Sequence, residues 1–302
     1  MRYICDPTYP RLSESNFVKV MQQLTELEND IVGMDKEPFI SDVPERFAEE
    51  ELASHWAVDG NVESFNRLIN YIEVKTNFKP YFESALTHIP WDSLGEDLVI
   101  ADIGSGVGWT SALISRMPQV RKVYSIEPGR ARARRIQYIA KHFGLNNRQV
   151  EWINGSFENF NLPEKVDYVI LCASFHHCVD TLQKSLFENI VSNSRRSKVG
   201  VLVANEHYVT TVWTLNRMKS YYLKENAASR KQLCWGPGQW REPSPRDNEH
   251  HRIKRECDRI FEGNGFNATY YIHPGDLCKN KSPLKTRLMW RYYHAVLERK
   301  EI

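Results

Sequence analysis

The fold is decided by residues 98–109, which read Leu98-Val-Ile-Ala-Asp102-Ile-Gly104-Ser-Gly106-Val-Gly108-Trp109. The six apolar-rich residues at the start predict a buried strand, and three alternate glycines lead directly into a helical pattern. A turn of this kind lets the backbone approach a ligand, and the following helix offers unpaired N–H groups. The stretch therefore predicts a ligand-binding strand-turn-helix unit, with an ordinary tight turn of an α/β protein as the alternative.

The chain from residue 97 onward alternates short apolar runs with amphipathic segments. This texture is typical of a mostly parallel sheet with helices on both faces, so we expect a Rossmann-like α/β fold. The predicted strands are 98–103, 122–127, 150–154, 166–172, 199–205, 268–272 and 288–297. The predicted helices between them are 109–116, 130–143, 182–192 and 249–262.

Two regions depart from this alternation of strands and helices, and they indicate how the chain is divided. Residues 1–90 read as helices, which predicts a helical N-terminal cap region followed by a sheet domain over 91–302. An insertion at about 207–248 is far longer than the usual connection between a strand and a helix. Long connections of this kind are typical of binding loops, so we expect it on the substrate side.

Composition narrows the class of protein. The 302 residues carry 40 Lys and Arg against 38 Asp and Glu, a formal net charge of +2, and 41% are hydrophobic. These values argue against a largely disordered chain and against a nucleic-acid binder that works through bulk charge. The six cysteines form no C-x-x-C pair, and no signal peptide or membrane-spanning run is visible, so we expect a cytoplasmic protein with no membrane partner.

The identity of the ligand is narrowed by two further residues. Trp109 stands where the dinucleotide fingerprint counted from Gly104 requires a small residue, which disfavours a bound pyrophosphate. Glu127 closes the second predicted strand, 23 residues after Gly104, where a carboxylate that pairs with ribose hydroxyls belongs. We therefore expect a nucleoside without a pyrophosphate.

The glycine turn followed by Glu127 resembles the class I methyltransferases that use S-adenosylmethionine. The resemblance covers roughly residues 97–302 and implies a seven-stranded sheet whose last strand is antiparallel. It also implies that the turn holds the methionine end of the cofactor, that Glu127 holds the ribose and that Asp102 lies near the cofactor's amino group. At the adenine, Ser156 stands where the family commonly has Asp, so Phe157 or Glu158 shares that role. The expected cofactor-binding residues are Asp102, Gly104, Ser105, Gly106, Gly108, Glu127, Ser156, Phe157 and Cys172.

Two adjacent histidines, His176 and His177, follow the fourth predicted strand at the edge of the sheet where ligands of open α/β folds bind. Transfer of a methyl group to a hydroxyl requires a group that takes its proton, and histidine titrates near neutrality. We expect His176 to face the cofactor and His177 to face the acceptor as the general base. The alternative is that both are structural.

Further candidates for the catalytic wall are Glu206 and His207 after the fifth predicted strand, and His250 at the end of the insertion. These groups form a wall that handles protons for a polyhydroxylated acceptor, or, as the alternative, hold a divalent metal together with Asp247. We expect no resident metal, because adjacent histidines on a helix point about 100° apart and chelate poorly.

The function predicted from these patterns is methyl transfer from S-adenosylmethionine to a hydroxyl of a small polar molecule or a glycan. The segment after strand four has no Pro-Pro-aromatic motif, which disfavours methylation of amino groups on DNA bases. The alternatives are transfer to nitrogen of an amine or RNA, and a cofactor-binding scaffold without catalysis.

Overall fold

A seven-stranded sheet forms the centre of the computed structural model, with the strand order β3-β2-β1-β4-β5-β7-β6. The structure describes residues 62–128, 139, 142–145, 149–153, 155–210, 212–213, 215, 252–272 and 290–300. The strands are β1 Leu98–Ile103, β2 Val120–Ile126, β3 Val150–Ile153, β4 Tyr168–Cys172, β5 Gly200–Val209, β6 Phe266–Ile272 and β7 Trp290–Arg299. The α-helices are α1 Val62–Asn70, α2 Phe78–Leu86, α3 Trp91–Leu94, α4 Trp109–Ile114, α5 Gln183–Ser192 and α6 Lys254–Gly263.

The first five strands of the sheet are parallel, and β7 runs antiparallel between β5 and β6. Every residue of β1 and of β4 is buried, as expected for central parallel strands covered on both faces. The predicted Rossmann-like fold is confirmed, including the antiparallel last strand that the family resemblance implied.

The helices before the sheet pack into the same apolar core as its central strands. Leu68, Ile72 and Phe82 are buried in one cluster with Leu98 and Ile100 of β1. The Phe82 ring meets that of Trp109 in α4 edge to face, with centroids 5.3 Å apart. These helices therefore cover one face of the sheet, and the predicted domain boundary at residue 90 stays a prediction.

The carboxyl edge of the sheet carries an irregularity that the sequence did not reveal. The β5–β7 pairing shifts register between Val203 and Glu206, where Asn205 adopts a φ of 53°. The strand then continues to Val209, whereas the sequence predicted its end at residue 205. Glu206 and His207 therefore lie on a strand and not in the insertion.

Several predicted features lie outside the described residues. These are the helices expected before residue 62, nearly all of the helix expected over 130–143, residues 216–251 of the insertion, and His250 with Asp247. Within the described part of the chain, no helix combines the length and the apolar character that crossing a membrane requires.

Candidate active site

The glycine turn after β1 has its three glycines in the left-handed region, with φ of 69° at Gly104, 58° at Gly106 and 70° at Gly108. The amide of Gly104 donates to the carbonyl of Ile126, which ties the turn to the end of β2. A Cβ added at Gly104 would come within 2.7 Å of the Ser174 Cβ, whereas one added at Gly106 would meet nothing within 4 Å. The turn is therefore packed on one side and open on the other.

Glu127 joins the glycine turn directly. The carboxylate is buried, and its Oε2 accepts a hydrogen bond from the Gly106 amide at 2.8 Å. Ser105 is also buried, and its hydroxyl donates to the Ile126 carbonyl at 3.4 Å. The acid that the sequence placed at the ribose thus also fixes the conformation of the turn, a role that residue spacing alone did not indicate.

Asp102 lies fully buried near the carboxyl end of β1, just before the turn. Its Oδ2 accepts hydrogen bonds from the hydroxyls of Thr110 at 2.6 Å and Ser111 at 2.5 Å, which anchors the start of α4. Burial raises the pKa of the Asp102 carboxyl from 3.8 to about 6, although these hydroxyls oppose the shift. Its Oδ1 is buried and makes no hydrogen bond within the described residues. The Asp102 carboxyl therefore holds the start of α4 through Oδ2, and its Oδ1 remains as a hydrogen-bond acceptor.

The segment after β3 brings Phe157, but not the Ser156 hydroxyl, into position at the turn. The Phe157 ring lies 3.8 Å from the position of a Cβ on Gly104. The Ser156 hydroxyl instead accepts from the amide of Glu158 at 3.3 Å, so it caps its own turn. The roles of Ser156 and Phe157 at an adenine stay predictions.

Cys172 ends β4 as a buried wall of the site. Burial raises the pKa of its thiol, and the carboxyls of Asp102 and Glu206 raise it further. The thiol therefore stays neutral at physiological pH, which suits a packing role rather than that of a nucleophile.

The two adjacent histidines form a single 3-10 turn over Phe175–His177, immediately beyond β4. Ser174, just before this turn, donates from its hydroxyl to the Ile103 carbonyl at 3.0 Å and contacts Gly104. The turn that carries the histidines is therefore joined to the end of β1. This role of Ser174 was not predictable from the sequence, because a serine in a loop has no distinguishing pattern.

Glu206 crosses from β5 to hold this turn. Its Oε1 accepts from the Phe175 amide at 2.7 Å, and its Oε2 lies 2.9 Å from Nδ1 of His176. The glutamate side chain is 1% exposed and that of His176 is 13% exposed. An ionised carboxylate only accepts, so Nδ1 carries the proton in this pair and the ring orientation is fixed.

The remaining histidines of the wall lie beside this pair. The ring centroid of His176 is 4.1 Å from that of His177 and 5.4 Å from that of His207. One donor atom from each of His176, Glu206 and His207 lies within 4.8 Å of the others. The structure thus brings together four of the five predicted catalytic residues, and the fifth, His250, lies outside the described part.

Arg252 is a further residue of the site that the sequence did not indicate. Its buried guanidinium donates to the Cys178 carbonyl at 2.5 Å and to Asp180 at 3.1 Å, and it lies over the Phe175 ring at 5.3 Å. Its own carbonyl accepts from the Val209 amide at 2.8 Å. Arg252 therefore holds the C-terminal end of the histidine turn, while Glu206 holds its start.

The residues at the glycine turn fit an S-adenosyl ligand. The open side of Gly106 admits a ligand close to the backbone, and the buried Oδ1 of Asp102 is an acceptor without a partner in the described structure. Glu127 provides a carboxylate at the same place. Glycine, acidic and aromatic groups of this kind match the parts of a cationic nucleoside.

Comparison with known proteins agrees with this geometry. Residues 100–196, about a third of the chain, match a family model described as a methyltransferase domain. No curated protein sequence matches the chain. The match supports an enzyme that transfers methyl groups, which is the enzyme class that the sequence predicted.

Several solved structures are similar to this chain. A methyltransferase from Geobacter sulfurreducens in complex with S-adenosyl-L-homocysteine is 12% identical, with a TM-score of 0.49 over 86% of this chain and 99% of that one. Magnesium protoporphyrin IX methyltransferase from Synechocystis, with bound S-adenosylhomocysteine, is 16% identical, with a TM-score of 0.48 over 85% and 95%. A methyltransferase from Thiobacillus denitrificans is 14% identical, with a TM-score of 0.48 over 78% and 98%.

Proposed function

We propose that this S-adenosylmethionine-dependent methyltransferase acts on a hydroxyl of a small polar molecule or a glycan, with His177 as the general base. The observation that carries the proposal is the histidine turn itself. Glu206 fixes the His176 ring, and the His177 ring lies against it at 4.1 Å. Ser174 joins the same turn to the glycine turn, so a proton acceptor and the expected methyl donor site are neighbours.

The proposed roles of the chain's own residues follow from these contacts. The glycine turn and Glu127 bind the cofactor, which supplies an electrophilic methyl group on a sulfonium. Phe157 and Cys172 form apolar walls that keep water from the reacting atoms. His176, held by Glu206, orients the acceptor beside His177.

The proposed transfer is a displacement at the methyl carbon. The acceptor oxygen forms a bond to the methyl carbon while the bond from that carbon to sulfur breaks, and the sulfur keeps the electron pair. The hydroxyl proton passes to an imidazole nitrogen of His177 and then to solvent. A histidine is suited to this step because imidazole exchanges protons near neutral pH.

The test begins with labelled S-adenosylmethionine and fractionated small-molecule and glycan extracts. We expect label in a hydroxylated acceptor, and a His177→Gln variant that loses about 100-fold or more in kcat. Its dissociation constant for S-adenosylhomocysteine should stay within twofold of the wild type. His142→Gln, which changes a histidine on another part of the molecule, is the matched control and should keep full activity.

The pH dependence separates a base from a packing residue. A neutral imidazole is needed to accept the proton, so wild-type kcat should rise with pH and reach a plateau, and this rise should vanish in His177→Gln. Label recovered only in amines or RNA would support the nitrogen-methylating alternative instead. Label in no fraction at all would support a scaffold.

A further inference from the structure

The three groups that meet at the carboxyl edge of β5 are the donor types of a metal centre. His176, Glu206 and His207 each offer one atom, and all three atoms lie within 4.8 Å of one another. We propose that these residues bind one divalent metal ion of the borderline class that imidazole favours, such as Zn²⁺, Mn²⁺ or Co²⁺. This departs from the expectation drawn from the sequence, which placed no resident metal in the wall.

The spacing of the closest pair fits a shared ion. Nδ1 of His176 and Oε2 of Glu206 are 2.9 Å apart. Adjacent ligands of an ion with bonds of about 2.1 Å are separated by about 3.0 Å in octahedral and about 3.4 Å in tetrahedral geometry. An ion in this position takes the place of the proton between the two atoms, and His207 supplies the third donor within 4.8 Å.

The ligands are oriented before any ion binds. The amide of Phe175 holds Oε1 of Glu206 at 2.7 Å, which directs Oε2 to His176. The His207 ring packs against that of Tyr292, with centroids 6.0 Å apart. Glu206 and His207 are consecutive in β5, and although side chains usually alternate along a strand, their donor atoms lie within 4.8 Å of each other. Outer contacts of this kind are what align metal ligands in proteins.

The electrostatics of the site also favour a cation. Glu206 is 1% exposed, and its charge contributes to the raised pKa of Cys172 and of Tyr293. Arg252, a buried cation in the same region, donates to the Cys178 carbonyl and to Asp180. A carboxylate taken out of water needs a compensating charge close by, and a divalent ion supplies it.

The donor set also indicates which metals bind. Mg²⁺ and Ca²⁺ prefer oxygen ligands, whereas two imidazoles with one carboxylate suit Zn²⁺ and its neighbours in the transition series. Three protein ligands leave coordination positions for an acceptor hydroxyl. This part of the inference rests on the proposed function: a bound ion lowers the pKa of that hydroxyl, and His177 receives its proton.

The test measures metal binding directly, without turnover. The full-length protein is freed of metal by chelation and titrated with Co²⁺ and with Zn²⁺, by calorimetry and by visible absorption of Co²⁺. We expect one ion per chain in the wild type and at least a 100-fold weaker affinity in His207→Ala and Glu206→Gln. His207→Asp, which retains a ligand, should recover most of the affinity, and His142→Gln should bind as the wild type does.

The outcomes distinguish this inference from the proposed function. Absence of binding in the wild type, or equal affinity in wild type and His207→Ala, overturns the metal site. Methylation of a hydroxyl that depends on His177 and resists exhaustive chelation would overturn the ion's part in the transfer while leaving the proposed function intact. Stoichiometric binding without transfer to any hydroxyl would leave the metal site and overturn the proposed function. Binding of S-adenosylhomocysteine by each variant verifies that it is folded.

Discussion

At the scale of single residues, the glycines of the turn meet different requirements. Gly104 is needed because Ser174 occupies the space where its Cβ would be, whereas Gly106 faces open space. Both have positive φ, a conformation that costs an alanine about 1 kcal/mol. The first glycine is therefore required for packing, and we expect the second to leave space for the ligand.

A matched pair of substitutions tests this division. Gly106→Ala should lower the free energy of unfolding by about 1 kcal/mol and weaken S-adenosylhomocysteine at least tenfold, because its methyl group enters the ligand space. Gly104→Ala should lower the free energy of unfolding by about 2 to 4 kcal/mol, since strain and overlap add. Urea denaturation measures the free energy of unfolding, and calorimetry measures the affinity for S-adenosylhomocysteine. An undiminished affinity in Gly106→Ala would contradict the ligand assignment, and partial recovery of Gly104→Ala by Ser174→Gly would confirm the overlap.

The sequence predicted the parts of this site that have a pattern. Three alternate glycines after an apolar run, an acid at the end of the next strand and a His-His pair at another strand end are recognisable from spacing. Ser174 and Arg252 were missed because their importance comes from contacts across the fold, with Gly104 in one case and Cys178 in the other. Nothing in their immediate neighbours distinguishes them from loop residues.

At the scale of elements, the histidine turn is held at both ends by groups from elsewhere. Glu206 of β5 binds the first amide of the turn, and Arg252 binds the carbonyl of Cys178 just after it. Phe175 packs between them against Phe187 and Phe261. A turn of three residues has little stability of its own, so its conformation depends on these contacts.

Loss of the Arg252 guanidinium should therefore loosen the histidines. Arg252→Met leaves the buried Cys178 carbonyl without its donor and should lower the free energy of unfolding by about 2 kcal/mol. We expect kcat to fall more than the affinity for S-adenosylhomocysteine, because the glycine turn is not touched. Arg252→Lys retains one donor and the charge. Its free energy of unfolding and its kcat should therefore lie between those of the wild type and those of Arg252→Met. Equal kcat in wild type and Arg252→Met would show that the histidine turn keeps its conformation without the Arg252 hydrogen bond.

Among the elements, prediction succeeded where apolar runs were continuous. The bounds of β1 were predicted without error, and those of β4 within two residues. The end of β5 was wrong, because the left-handed Asn205 and polar residues after it read as a loop, while pairing with β7 extends the strand. Within the region 1–90 that was expected to be helical, α1 ends at Asn70 and the chain continues as a π-helix over Tyr71–Lys75, where the Thr76 amide donates to the Tyr71 carbonyl.

At the scale of the whole molecule, the helices before β1 belong to the core of the sheet. Phe82, Ala85 and Leu68 are fully buried against it. Asn205, at the carboxyl edge, donates from its side-chain amide to the Phe78 carbonyl at 2.9 Å, which ties α2 to β5. We therefore expect the sheet to fold and these helices to dock in one cooperative event.

A chain that begins at residue 96 should consequently fail to fold. Each large apolar side chain lost from a core costs about 3 kcal/mol, and several are lost together, against a total stability of about 5 to 15 kcal/mol. Near-ultraviolet circular dichroism and urea denaturation of the truncated and full-length chains provide the comparison. A cooperative unfolding transition in the truncated chain would show instead that the sheet is stable by itself. Phe82→Ala in the full-length chain should remain folded with reduced stability.

One contact has a consequence for how the enzyme diversifies. The Val209 amide and the Arg252 carbonyl are hydrogen-bonded, so the two ends of the segment between them adjoin. A segment with adjoining ends can change in length or composition at little entropic cost to the rest of the chain. If this segment lies on the substrate side, as the sequence predicts, then exchanging it should change acceptor preference while the residues of the glycine turn stay the same.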